Sequence, residues 1–125
     1  MYEISIKKSF SAAHTLIIGG VREDLHGHNF SVEITVASDA LDEEGVVMDF
    51  RRLKQEAAEI LGVMDHTYLN DLEQFKTMAP TAEHIARYIF DKMKGRLPAA
   101  NLIISQVTVW ESDNAWAAYK ENDRG

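Results

Sequence analysis

His26-Gly27-His28-Asn29-Phe30-Ser31-Val32-Glu33-Ile34-Thr35-Val36-Ala37 is the stretch that decides how this chain folds. Phe30, Val32, Ile34 and Val36 alternate with Ser31, Glu33, Thr35 and Ala37. That period of two is the mark of a strand with one buried face. Its leading end carries two histidines at i and i+2, which point to the same side of an extended chain. Both imidazoles can therefore converge on one ion where the strand begins, and Gly27 between them has no side chain to crowd the approach.

Upstream, Tyr2, Ile4 and Ile6 alternate with Glu3, Ser5 and Lys7, and Phe10 keeps the parity. This predicts a first strand that runs on into Ser11-Ala12-Ala13-His14. Paired with the second as a hairpin, it brings His14 alongside His26 and His28. The long connection holds Ile17-Ile18-Gly19-Gly20-Val21, whose paired glycines predict a turn or mobile loop. Downstream, Asp39 to Gly45 is acidic and turn-like. Asp49 caps a helix whose apolar face is Phe50, Leu53, Ala57, Ile60 and Leu61, with Gly62 at its end. Asp65-His66-Thr67-Tyr68-Leu69-Asn70 has no clear period and is expected to be a loop. Thr81 caps a second helix striped by Ile85, Ile89 and Met93 and stopped by Gly95 and Pro98. Ile103–Trp110 and Ala115–Tyr119 read as third and fourth strands joined by Ser112-Asp113-Asn114. Two strands, two helices and two strands predict an α+β fold: an antiparallel four-stranded sheet with both helices on one face. An apolar outer face would call for self-association.

The 125 residues are expected to form one domain, 1–125. With 46% hydrophobic and 26% charged residues, the composition is that of an ordinary globule. A formal net charge of -7 argues against a general nucleic-acid binder. It leaves room for an anionic substrate, because a local patch can oppose the global sign. No run is long and apolar enough for a signal peptide or a membrane span, so a cytoplasmic protein that contacts no membrane is expected. The chain has no cysteine, and so neither a thiolate zinc site nor a thiol nucleophile.

Three histidines are what a catalytic zinc needs, since they leave one coordination position open. His14, His26 and His28 are the candidate ligands, with Zn2+ the first choice; imidazole also suits nickel, copper or iron. Glu23, three residues before His26, is a candidate proton acceptor. Read alone, Asp65-His66 is a cap or turn, because adjacent side chains do not usually face each other. Glu111 ends a strand, where carboxylates are usually solvated, yet a carboxylate can also grip a guanidine-like edge through two hydrogen bonds. Asp49 and Thr81 are caps first, and His84 is structural.

Taken together, these residues resemble the 6-pyruvoyltetrahydropterin synthase and 6-carboxytetrahydropterin synthase family. Phe10-Ser11-Ala12-Ala13-His14, His26-Gly27-His28-Asn29, Val47-Met48-Asp49-Phe50, Asp65-His66-Thr67-Tyr68-Leu69-Asn70, Pro80-Thr81-Ala82-Glu83 and Glu111-Ser112 follow in the family's order. The resemblance implies a tunnelling fold (T-fold), in which sheets from several copies close into a barrel, usually a hexamer built as a dimer of trimers. It implies zinc on His14, His26 and His28. It implies that Glu111 anchors a pterin's amino-pyrimidine edge near Thr81 and Glu83, and that Asp65 and His66 move protons.

One departure from the family's pattern carries weight. Relatives place a catalytic cysteine four residues before the first histidine of His-Gly-His, where this chain has Arg22. Glu23 instead matches a subgroup with Glu-x-x-His-Gly-His. Members of that subgroup cleave 7,8-dihydroneopterin triphosphate to 6-hydroxymethyl-7,8-dihydropterin, a step of folate biosynthesis. The expected activity is therefore a zinc-dependent lyase with Glu23 as the main base and Asp65 and His66 as a second proton route. The alternatives are 6-carboxy-5,6,7,8-tetrahydropterin synthase of queuosine biosynthesis, 6-pyruvoyltetrahydropterin synthase, and a non-catalytic zinc-stabilised module.

Overall fold

The computed structural model describes residues 1–121. Strand β1 (Tyr2–His14) and strand β4 (His26–Ser38) form the longest ladder, antiparallel from Tyr2 opposite Ser38 to His14 opposite His26. Between them, β2 (Ile17–Ile18) and β3 (Val21–Arg22) make a separate hairpin. Its two-residue turn is Gly19-Gly20, with φ of 60° and 80°. A tight turn of this kind needs positive φ at both central residues, which glycine adopts without steric cost.

Helix α1 (Phe50–Gly62) starts where Asp49 accepts the Arg51 backbone N–H, and α2 (Ala82–Lys94) where Thr81 accepts that of His84. Each cap satisfies one amide that a helix start leaves unpaired. Strands β6 (Ile103–Ser112) and β7 (Ala115–Tyr119) close the chain, and β5 (Thr67–Tyr68) lies between the helices in sequence. The main sheet has the order β5-β1-β4-β6-β7.

The sheet thus has five strands, not the expected four. The addition is β5, which pairs parallel with Ala12 and Ala13 of β1 inside the segment expected to be a loop. Two residues are too few to show a period. They are held by contacts from a distant part of the chain: Asp65 Oδ1 accepts the Ser11 amide at 2.9 Å, and the His66 amide donates to the Ser11 carbonyl.

One face of the sheet carries the core. Ile6, Phe10, Phe30, Val32, Ile34, Val36, Val107 and Val109 are buried there against Leu53, Ala57, Ile85 and Ile89 of the helices. Each such side chain contributes roughly 1.5–3 kcal/mol on burial. Phe50, expected on the inner face of α1, is instead 50% exposed. In β6, Ile104 and Val107 both turn inward although three positions apart. The register slips between Thr35 and Val36 of β4, leaving Ser105 unpaired. An extra residue of this sort reverses the alternation locally.

The opposite face is polar rather than apolar. Glu33 of β4 accepts the Trp110 indole N–H at 3.0 Å, and Lys7 of β1 stands 5.1 Å from the centre of that ring. An apolar outer face is therefore not a reason for this sheet to self-associate. Among the described residues no helix is long and apolar enough to cross a membrane.

Candidate metal centre

The β1–β4 register places His14 opposite His26, and His28 two residues along on the same face. The three rings pack nearly edge to face, with centres 4.7, 5.2 and 4.8 Å apart. One nitrogen from each lies within 4.8 Å of the others. Phe30 closes the cluster from the core side, 5.6 Å from His14 and 5.3 Å from His28 between ring centres. Gly27 points to the other face of β4, where an added methyl would meet the Ala12 carbonyl at an ordinary 3.6 Å. Its smallness therefore clears no path to the ion, contrary to the expectation from sequence.

Hydrogen bonds set the tautomers. His14 Nδ1 lies 2.9 Å from the Pro80 carbonyl and His26 Nδ1 lies 2.9 Å from the Asp24 carbonyl. A carbonyl only accepts, so each Nδ1 carries the hydrogen and each Nε2 keeps its lone pair. Metal-ligating histidines are commonly oriented in this way. The Nε2 atoms of His14 and His28 are buried without a hydrogen-bond partner. Burial also pushes the His14 pKa below the ordinary 6.5, outweighing the opposing pull of the Pro80 carbonyl, so the ring is held neutral. Three imidazole nitrogens within 4.8 Å of one another, two of them buried and without a partner, are a donor set that fits a divalent cation such as zinc.

Two carboxylates border the cluster. Glu23 Oε1 lies 3.9 Å from His26 Nε2, and Glu111 Oε1, on β6, lies 3.4 Å from His28 Nε2. The second pair is within ion-pair distance but is not aligned as a hydrogen bond. Asp65 and His66 do face each other, with Oδ2 and Nε2 3.7 Å apart. A left-handed backbone at His66, φ 59°, turns its ring back toward its neighbour. His66 and His28 line a cleft of about 400 Å³, while the Asp65 carboxylate is bonded to the Ser11 amide. Thr81 adjoins the Pro80 carbonyl that holds His14, but its hydroxyl is occupied as the α2 cap. Glu83 is exposed on the first turn of α2. His84 Nδ1 lies 2.7 Å from the Ala79 carbonyl, a structural contact as expected. The carbonyls of Pro80 and Asp24 were not foreseeable as site groups, because a backbone oxygen leaves no sign in the side-chain pattern.

The family model for 6-pyruvoyl tetrahydropterin synthase matches residues 3–122. The chain is 33% identical over 132 residues to 6-carboxy-5,6,7,8-tetrahydropterin synthase of Bacillus subtilis, covering 99% of this chain and 88% of that one. It is 34% identical over 110 residues to dihydroneopterin monophosphate aldolase of Pyrococcus furiosus, covering 88% and 90%. The structure of Caenorhabditis elegans 6-pyruvoyl tetrahydropterin synthase superposes with a TM-score of 0.83 at 29% identity, covering 97% and 96%. These relatives are pterin-processing enzymes, and the chain, matched over nearly its whole length, belongs to the 6-pyruvoyl tetrahydropterin synthase family.

Proposed function

We propose that this protein is a zinc-dependent lyase that cleaves the side chain of 7,8-dihydroneopterin triphosphate to 6-hydroxymethyl-7,8-dihydropterin. The observation that carries the reading is the Glu23 carboxylate 3.9 Å from His26 Nε2 in a chain with no cysteine. The name of the Pyrococcus furiosus relative, an aldolase acting on the monophosphate of the same pterin, supports it.

In this reading His14, His26 and His28 hold the ion. When bound, it supplies Lewis acidity toward the hydroxyl oxygens of the substrate side chain. Glu111 orients the pterin by accepting hydrogen bonds from its amino-pyrimidine edge, with Thr81 and Glu83 close to that pocket. Glu23 removes the proton of the hydroxyl on the second side-chain carbon. The bond between the first and second carbons then breaks. The second carbon leaves as the aldehyde of glycolaldehyde triphosphate, and the electron pair moves into the ring C=N bond. A proton returned to the first carbon restores that bond and yields the hydroxymethyl group. His66, which lines a cleft with His28, forms the second proton route together with Asp65, 3.7 Å from its Nε2. No oxidant or reductant is needed.

The same reading expects a hexamer of two trimers acting in the cytoplasm. A second reading, 6-carboxytetrahydropterin synthase, is favoured by the name of the Bacillus subtilis relative. Incubation with dihydroneopterin triphosphate, with zinc present and removed, separates the two. A hydroxymethyl product dependent on the ion is expected. A carboxy product overturns the lyase assignment, and no product with the ion bound overturns both.

A further inference from the structure

We infer that Arg22 and Lys76 form the pocket that takes the substrate's phosphate tail. This assignment rests on the pterin phosphate reading above. A cleft of about 320 Å³ opens beside His14, between the β2–β3 hairpin and residues 75–80. Thr15, Arg22, Asn70, Lys76 and Pro80 are among its walls. Thr15 follows His14 in sequence, and Pro80 supplies the carbonyl that holds the His14 ring, so the cleft borders that ring on its Nδ1 side.

The Arg22 side chain is held in place there. Its Nη1 donates to Thr15 Oγ1 at 3.1 Å, and that oxygen is 2.9 Å from the Tyr68 hydroxyl. Asn70 clamps Thr15 from below, accepting its amide and donating to its carbonyl, both at 2.9 Å. The guanidinium keeps its remaining donors, and Lys76 adds a second cation on the facing wall. Among the described residues neither lies within ion-pair distance of a carboxylate. By contrast, Arg51, Arg52, Arg87, Lys94 and Arg96 all do. In a chain of net charge -7, two uncommitted cations lining one cleft mark a place for an anion.

The strand order gives the ligand its direction. Across β6, β4, β1 and β5 lie Glu111, then His28 and His26, then His14, then Tyr68. Tyr68 pairs with Ala13, whose side chain stands on the opposite face of β1 from His14, so a phosphate tail passing from the histidines to Arg22 turns round the end of β1. In sequence Arg22 directly precedes Glu23, yet its head group reaches Thr15 while the Glu23 carboxylate reaches His26. The position that carries a cysteine in relatives would thus serve binding here, and its neighbour would serve proton transfer.

The test compares the affinity of the zinc-loaded full-length protein for neopterin triphosphate and for neopterin by fluorescence titration. Arg22→Met and Lys76→Met are each expected to lower the preference for the triphosphate about 10- to 100-fold, the usual weight of a charge-assisted contact. Arg22→Lys should retain part of it, and Lys54→Met, an exposed control with the same charge change, should leave it intact. Lys76→Met breaks no hydrogen bond seen here, so it remains informative if Arg22→Met fails to fold. An unchanged preference in folded Lys76→Met and Arg22→Met overturns the inference and leaves the lyase reading untouched. The other case is that neither pterin binds but inorganic tripolyphosphate does, and loses its binding in both variants. The anion pocket then stands and the pterin reading falls. Tripolyphosphate binding that the variants do not weaken overturns the pocket.

Discussion

Phe10 opposite Phe30 and His14 opposite His26 lie on the same β1–β4 ladder and the same face, four residues apart along each strand. At the first pair the rings stack with centres 4.9 Å apart and belong to the apolar core. At the second His14 is just as buried, but its Nε2, like that of His28 two residues along from His26, has no hydrogen-bond partner. The apolar end is satisfied by the fold alone. The histidine end is left with lone pairs that only something from outside the chain can use. Stability and reactivity are thus divided along one pair of strands, the first at the core end and the second at the end nearest the loops.

Substitutions at the two ends should therefore fail in different ways. The largest effect is expected from His28→Ala, which removes one of three imidazoles. Metal affinity should fall by more than the roughly 10–100-fold typical of changes behind the ligands. Turnover should drop to background, while the urea midpoint of the metal-free protein moves little. Metal analysis beside a product assay checks this. Next, Glu23→Gln should keep the metal and the fold but slow turnover about 10²–10⁴-fold, the weight of one positioned base. Near-normal rates there would remove Glu23 from the chemistry. At the apolar end, Phe30→Ala should cost about 3–5 kcal/mol in a denaturant titration. Zinc binding per folded molecule should survive.

The smallest effect is that of acid on the metal-free protein. Burial holds His14 below 6.5, so the unfolded chain takes up this proton before the folded one does. The stability is complete above pH 6.5 and declines as the pH falls from there, by about 1.4 kcal/mol per unit of pKa depression, until the folded imidazole is itself protonated. His14→Ala should flatten that part of the pH–stability curve.

The sequence showed the repeating parts of this fold and missed those that depend on meetings between distant residues. The alternation of Phe30 to Val36 and the caps Asp49 and Thr81 are local rules, and the elements lie where those rules put them. Strand β5 was invisible because Thr67 and Tyr68 become a strand only when Ser11, more than fifty positions away, clamps Asp65 and His66. The site divides in the same way. The convergence of His14, His26 and His28 follows from strand parity and one hairpin. The approach of Glu111 to His28 depends on the β4–β6 register. The cationic cleft at Arg22 depends on a two-residue glycine turn and on Tyr68, Asn70 and Lys76, about fifty positions away, which meet Thr15 and Arg22 only in the fold.

His66 shows what the fold forgoes to keep this arrangement. A histidine at φ 59° sits in the left-handed region, where a side chain costs of order 1–3 kcal/mol and glycine is at ease. A chain selected only for cohesion would drop the imidazole and relax. This one retains it at 81% side-chain exposure, where it adds almost nothing to packing. His66→Gly should accordingly give a sturdier protein and a poorer catalyst.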